Sequence, residues 1–241
     1  MTELAYMTYT DWAAGGTGMA QRGSRIREWL GGEPFIFLDP APGKRRSADA
    51  AVFASIVPPD ARQVVTSFAE FDAAGQQTLD HGVTVMFPFE ERECESLREL
   101  IVSARVRRIF VMVWSPTHLV IEMLDGLGGM NLLTERPAPR VGPLQLEAAK
   151  AMVSEQYNGL ESGYGKDAVI QLLRAMSNEG YLLDERWIHA VFMAGATYRS
   201  AESVAKFLRE MNRGVKHRVQ PRFVPDIVRV LRANLDKADS A

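Results

Sequence analysis

A run of three cations in the first half of the chain is the clearest candidate for ligand chemistry. The sequence Gly-Lys-Arg-Arg-Ser occupies positions 43–47 and precedes a helix predicted over Ala48–Ile56. Free amide groups at a helix N-terminus attract anions, and neighbouring cations strengthen that attraction. The segment is not a P-loop, which requires glycine where Leu38 stands and Ser or Thr where Arg45 stands. We expect either an anion site or a solvated basic loop.

Further polar side chains follow the predicted strands, where ligands bind in open parallel sheets. Asp39 and Glu90 follow two of these strands, as a carboxylate pair for metal binding or acid–base work or simply as solvated acids. Ser115 and His118 have the spacing of a nucleophile and a base at a helix start, but serine there also caps the helix and no Gly-x-Ser-x-Gly elbow surrounds it. The candidate ligand-binding residues of this half are Asp39, Lys44, Arg45, Arg46, Ser47, Glu90, Ser115 and His118.

A second concentration of cations lies at positions 206–222, where Glu210 is the only acid. On a helix predicted over Ala201–Asn212, cations spaced i, i+3 and i+7 share a polar stripe beside the apolar one. A cationic helix end that continues into a cationic loop suits the phosphate backbone of a nucleic acid. The same charges also favour a helix C-terminus without any ligand. The candidate nucleic-acid or phosphate-binding residues are Lys206, Arg209, Arg213, Lys216, Arg218 and Arg222.

The helix predicted over Asp184–Met193 and the helix that follows loosely resemble a helix-turn-helix pair. With Ser200 as the start of the second helix, the connection Gly-Ala-Thr-Tyr-Arg at 195–199 is longer than the tight turn of that motif. This length argues against the geometry of a recognition helix. The segment also lacks the aromatic ladder on which single-stranded bases stack.

The elements that position these residues alternate between strand and helix in the first half. The stretch Val83–Leu127 contains two uniformly apolar runs, each followed by a helix pattern, which indicates strands buried on both faces of a parallel sheet. We predict an α/β fold with a Rossmann-like parallel sheet of four or five strands. Residues 1–17 are expected to lie over the surface before any regular element. The predicted strands are Phe35–Leu38, Val64–Ser67, Val83–Phe87, Ile109–Trp114 and a short fifth at Met130–Leu133.

The proline-rich segment Thr134–Pro143 is the best candidate for a domain boundary. Beyond it the strand signal ends, and helix patterns bounded by glycine and by capping residues indicate an all-helical domain. We therefore predict an amino-terminal lead and helix over 1–33, a Rossmann-like domain over 34–134 and a helical bundle over 144–241.

Composition excludes several classes of protein. A formal net charge of −2 over 241 residues gives no global attraction to nucleic acid or membrane, so such binding requires a local patch. One cysteine excludes an intrachain disulfide and a cysteine metal cluster, and the histidines lack partners at metal-ligand spacing. We expect no metal site and no cofactor. Without a secretory leader or a membrane span in the sequence, we expect no membrane association and a cytoplasmic location.

Three functions remain open, and no motif specifies a reaction. The first is a nucleic-acid-associated or regulatory protein that uses the basic helix and loop of the helical domain. The second is an enzyme or sensor that binds a nucleotide or phosphorylated metabolite at the strand ends. The third is a structural scaffold, since the apolar residues of the helical half suit a homo-oligomer as well as a core. Whether the protein is an enzyme stays undecided, because fold alone does not determine function.

Overall fold

The computed structural model describes residues 2–9, 19–31, 35–40, 56, 64–65, 67–73, 79–115, 119–135 and 138–238. The chain divides into two compact units, Met1–Ala138 and Pro139–Ala241. Within the described ranges, every helix falls short of the length and hydrophobicity that a membrane crossing requires.

The first unit contains a parallel sheet with strand order β3-β2-β4-β5-β1-β6. Apolar runs form the inner strands because both faces of such a sheet are buried. The predicted α/β class, with a Rossmann-like sheet and a separate helical part, is confirmed. The strands are β1 (Glu3–Thr8), β2 (Ile36–Leu38), β3 (Val64–Val65), β4 (Leu79–Met86), β5 (Val106–Val113) and β6 (Met130–Asn131).

The amino-terminal segment is a central strand, and our expectation of an irregular lead was wrong for residues 3–8. β1 pairs along its whole length with β5, from Glu3 opposite Arg108 to Thr8 opposite Val113, and it also pairs with β6. Its side chains from Leu4 to Met7 are buried. Alanine and methionine carry little strand preference, so this strand is specified by its two neighbours more than by its own residues.

Helices cover both faces of the sheet. Ala5 and Met7 on β1 share a buried cluster with Ile26 of α1. Tyr6 points the opposite way, and its hydroxyl donates a hydrogen bond to Asp125 Oδ1 on α4 at 2.8 Å. α1 and α4 therefore lie on opposite faces. The helices of this unit are α1 (Met19–Trp29), α2 (Phe68–Ala73), α3 (Glu91–Val102) and α4 (Leu119–Gly126).

Gly82 lies inside β4, although the sequence from Phe68 to Asp80 has a helical pattern and a glycine just after such a pattern commonly terminates the helix. The described helical residues are Phe68–Ala73, and the strand runs over Leu79–Met86. A Cβ atom at Gly82 would lie 2.6 Å from Cδ2 of Leu30, the buried residue that follows α1. Glycine at this position therefore permits the close approach of a neighbouring segment to the sheet, which is a different use from a helix terminator.

Helices are the only regular secondary structure among the described residues of the second unit. α5 packs against α7 and α9, and α7 packs against α8. The fully buried indole of Trp187 on α7 donates a hydrogen bond to the carbonyl oxygen of Leu182 at 2.9 Å, which satisfies its only polar atom. The helices are α5 (Pro143–Val153), α6 (Gly163–Asn178), α7 (Arg186–Met193), α8 (Tyr198–Asn212) and α9 (Ile227–Ala238), with a 3-10 turn at Gln156–Asn158.

Replacing Gly165 with alanine is expected to destabilise the second unit by about 2–3 kcal/mol. A Cβ atom there would overlap the carbonyl oxygen of Gly159 and lie 3.1 Å from the Cα atom of Leu160, so backbone has to move. The matched control is Gly142→Ala, whose new methyl meets its nearest neighbour, Tyr181, at 4.0 Å. Urea unfolding measures both variants. Equal stability of the two would contradict the close approach of α6 to the preceding turn.

Candidate nucleic-acid interface

Five exposed cations lie on the last turns of α8 and in the loop beyond it, and together we call them the basic surface. Lys206 and Arg209 lie on α8, Arg213 follows its last residue, and Lys216 and Arg218 lie in the loop beyond. The spacing i, i+3 and i+7 of the first three places them on one side of the helix. All five residues are exposed.

Burial of the apolar side of α8 leaves these cations facing solvent. Val204, Phe207 and Leu208 occupy the opposite side of α8 and are buried. Turning the helix to bury the cations would expose this apolar stripe to water and desolvate several charges at once. The amphipathic pattern seen in the sequence is therefore the reason that the cations face solvent.

The charges of the basic surface are not neutralised within the described part of the chain. None of its five side chains makes an ion pair or hydrogen bond with a described residue, whereas Arg199 pairs with Glu161 at 3.3 Å and Arg232 with Glu179 at 2.5 Å. Glu210, the acid nearest in sequence, lies 3.5 Å from His217 Nε2. Glu210 offsets one of the five positive charges, and the remaining excess gives this surface a net positive field in water.

Hydrogen bonds from α6 hold the loop that carries Lys216 and Arg218. Gln171 Oε1 accepts hydrogen bonds from the backbone N–H groups of Arg222, at 2.7 Å, and Phe223, at 3.1 Å. Its Nε2 donates to the carbonyl oxygen of Phe223 at 2.9 Å. Arg174 Nη2 donates to the carbonyl oxygen of His217 at 2.7 Å. Side chains of one helix thus fix the loop at both ends.

Arg222 differs from the other predicted phosphate-binding residues. Its guanidinium pairs with Glu155 at 3.1 Å and lies over the ring of Tyr164, 4.4 Å from the ring centroid. An ion pair combined with a cation–π contact holds the side chain in one place. Arg222 therefore anchors the loop. The five cations of the basic surface have no ion pair or hydrogen bond among the described residues, although Lys206 Nζ lies 5.9 Å from the centroid of the Phe207 ring.

His217 is buried beneath the loop. Its side chain is 7% exposed and packs edge-on against Phe207, with the ring centroids 5.6 Å apart. Burial lowers the pKa of His217 from its ordinary value of 6.5; Glu210 opposes this shift, and the nearby cations Lys166, Arg174 and Lys206 reinforce it. The neutral ring is therefore the form that fits the folded loop.

α7 and α8 are joined by a four-residue turn, Ala194–Thr197, which is shorter than the sequence predicted. Gly195 has φ of 92°, and its N–H donates to the carbonyl oxygen of Phe192 at 3.0 Å. Thr197, and not Ser200, caps α8: its Oγ1 accepts from the N–H of Ser200 at 3.2 Å. Three residues that we assigned to the connection or its end, Tyr198 to Ser200, belong to the first turn of the helix.

The residues predicted to form a site at the strand ends have varied surroundings. Asp39 is buried directly after β2, and Ser115 is half-buried after β5. Glu90 caps α3 in a reciprocal capping box, in which the Glu93 carboxylate accepts from the Glu90 N–H at 3.1 Å. Glu90 thus has a structural role at the start of α3. Lys44, Arg45, Arg46, Ser47 and His118 lie outside the described residues.

We expect the free energy of unfolding to fall as the pH is lowered through 6.5, with a contribution from His217. Because its pKa is lower in the folded state than in the unfolded chain, the unfolded chain binds more protons in this window. Asp184 titrates well below this pH range, because its hydrogen bond with Arg186 holds its pKa below 3.8. Urea unfolding between pH 7.5 and 5.5 should give a smaller pH slope for His217→Gln than for the original chain. Identical slopes would contradict the burial of a neutral histidine.

Comparisons of this chain with known proteins find no similar protein. Neither protein-family models, nor curated proteins, nor solved structures match this chain. The function of the basic surface therefore has to be argued from its own charges, hydrogen bonds and burial.

Proposed function

We propose that this protein binds double-stranded DNA through the phosphate backbone, using the basic surface of Lys206, Arg209, Arg213, Lys216 and Arg218. The observation that carries the proposal is that these five exposed side chains make no ion pair with any described residue, although acids elsewhere in the unit do pair with arginine. Neutralising a polyanion releases its condensed counterions, which is the main driving force of such binding.

The spacing of the cations suits a phosphate backbone. Lys206 and Arg213 are seven residues apart, which corresponds to roughly 10 Å along a helix axis. One strand of duplex DNA presents a charge about every 3.4 Å along its axis, so this distance spans roughly three phosphates. The loop beyond α8 adds two more cations, Lys216 and Arg218, and hydrogen bonds from Gln171 and Arg174 hold the backbone of this loop.

Two features favour duplex DNA over a single strand. Of the phenylalanines on α8 and its loop, Phe207 is buried and Phe223 is half-buried, so neither offers an open face for stacking bases. α7 and α8 are joined by a short turn containing Gly195, as in helix-turn-helix proteins, whose second helix lies against the DNA groove. Arg199 and Glu202 are exposed on the first turns of α8 and would lie nearest the bases in that arrangement.

The triple variant Arg209→Ala, Arg213→Ala, Arg218→Ala is expected to bind a duplex oligonucleotide at least tenfold more weakly in low salt. For every cation that no longer touches a phosphate, the slope of log affinity against log salt should become shallower by about 0.9. Fluorescence anisotropy with a labelled duplex measures both quantities, and a single strand of the same length is expected to bind less tightly.

The matched control for this experiment removes three cations from α9. Arg229 and Arg232 pair with Asp226 and Glu179, and Lys237 lies in the last turn of the helix. The variant Arg229→Ala, Arg232→Ala, Lys237→Ala changes the net charge equally and should keep most of the affinity. If both triple variants lose the same affinity, binding depends on net charge alone and the proposed surface is wrong.

Replacing Gln171 with alanine is expected to weaken DNA binding only while the loop cations are present. The substitution removes all three hydrogen bonds to the backbone of Arg222 and Phe223, and so releases the loop. In a chain that already carries Lys216→Ala and Arg218→Ala, the same change should cost little further affinity. A double-mutant cycle by anisotropy measures this coupling. Additive losses would show that Gln171 does not act through the loop.

A further inference from the structure

A cavity of about 410 Å³ opens in the first unit and is lined by residues of that unit. Its walls come from segments that follow three neighbouring strands: Pro40 after β2, Ser67 and Phe68 after β3, and Glu90 and Arg92 after β4. The volume lies within the range of about 300–1,000 Å³ that is usual for small-molecule sites.

The order of the strands independently predicts a ligand-binding crevice at this position in the sheet. β2 is followed in the chain by β3, which lies on its outer side, and β4 is followed by β5, which lies on the other side. The direction of winding therefore reverses between the adjacent strands β2 and β4. In open parallel sheets, such a reversal leaves a crevice at the carboxyl ends of the strands, where ligands bind. The cavity occupies that crevice.

The acids of the cavity are held in place by other parts of the unit. Asp72 pairs with Arg105 at 2.9 Å. The Glu93 carboxylate accepts hydrogen bonds from the N–H groups of Phe89, at 2.9 Å, and Glu90, at 3.1 Å. Glu90 completes the reciprocal capping box of α3. These three carboxylates are therefore oriented before any ligand arrives and have acceptor capacity left, since each carboxylate has about four lone-pair positions.

The donors of the cavity come from Arg92, Ser67 and Ser96. Arg92 makes no ion pair or hydrogen bond with any residue that the structure describes, although it stands in the first turn of α3, where the helix dipole disfavours a cation. The hydroxyl of Ser96 lines the cavity one turn further along the same helix. The ring of Phe68 adds an apolar wall beside these polar groups.

We infer that this cavity binds a neutral polyhydroxylated small molecule, such as a free sugar or the ribose of a nucleoside. Such a ligand offers hydroxyl groups that donate to the carboxylates and accept from the guanidinium, and carbon–hydrogen faces that pack on Phe68. Three carboxylates against one guanidinium repel a phosphate group, so the described lining does not favour a phosphorylated metabolite. Carboxylates at strand ends also hold ribose hydroxyls in dinucleotide-binding sheets.

Ligand-observed NMR with the full chain tests the inference, using D-ribose, D-glucose and adenosine as probes at millimolar concentration. We expect at least one of them to bind, and D-ribose 5-phosphate to bind more weakly than D-ribose. Binding of adenosine above the two sugars assigns the site to a nucleoside, and the reverse order assigns it to a free sugar. Absence of binding by all three, or tighter binding of the phosphorylated sugar, would overturn the inference.

Two variants connect the binding to the cavity. Arg92→Ala removes the unpaired donor and Ser96→Leu fills the space, and each should weaken the bound probe by about fivefold or more. The matched controls are Arg107→Ala, an exposed arginine on β5, and Ser24→Leu, an exposed serine on α1 that does not line the cavity. Both controls should bind as the original chain does. Unchanged binding in the two cavity variants would show that the probe binds elsewhere. Because no nucleic acid is involved, this result is independent of the basic surface.

Discussion

The first unit depends on the exclusion of water from both faces of its parallel sheet. Every backbone N–H and C=O group of a buried strand needs a partner, and β1 obtains its partners from β5 on one side and β6 on the other. This pairing joins the amino-terminal residues to a core whose strands come from later in the sequence. The helices on both faces then bring the segments that follow β2, β3 and β4 to one edge. The cavity at that edge is a consequence of the same strand order.

The same hydrophobic constraint shapes the second unit and has an electrostatic consequence there. Burial of Val204, Phe207 and Leu208 fixes the rotation of α8 about its axis. The cations on its other side are then held together in water, where their mutual repulsion is weakened by solvent but not removed. A surface of this kind costs the folded chain some stability, and a polyanion that binds to it relieves the repulsion. This is the physical basis for proposing DNA as the partner.

The polar side chains of the protein have two different roles: some hold neighbouring segments in place, and others are available to a ligand. Gln171, Arg174 and Arg222 use their hydrogen-bonding capacity on the backbone and side chains of the helical unit, so they position the loop. The five cations of the basic surface have no such partner among the described residues and remain free for a ligand. In the first unit the division is similar. Glu93 is oriented by backbone N–H groups, whereas Arg92, one residue earlier, is unpaired in the described part of the chain.

The local pattern of residue types was enough to predict most of the strands and helices of this protein. Uniformly apolar runs identified β2, β4 and β5, and the spacing of apolar residues identified the helices of the second half and the outward direction of Lys206, Arg209 and Arg213. These features are set by the period of a strand or a helix, which neighbouring residues determine. Tertiary structure alone decided the rest. β1 is a strand because it pairs with β5, Gly82 lies close against the side chain of Leu30, and Arg222 pairs with Glu155, which lies 67 residues away in sequence. Such contacts join segments that are distant in the chain, so no local pattern of residue types encodes them.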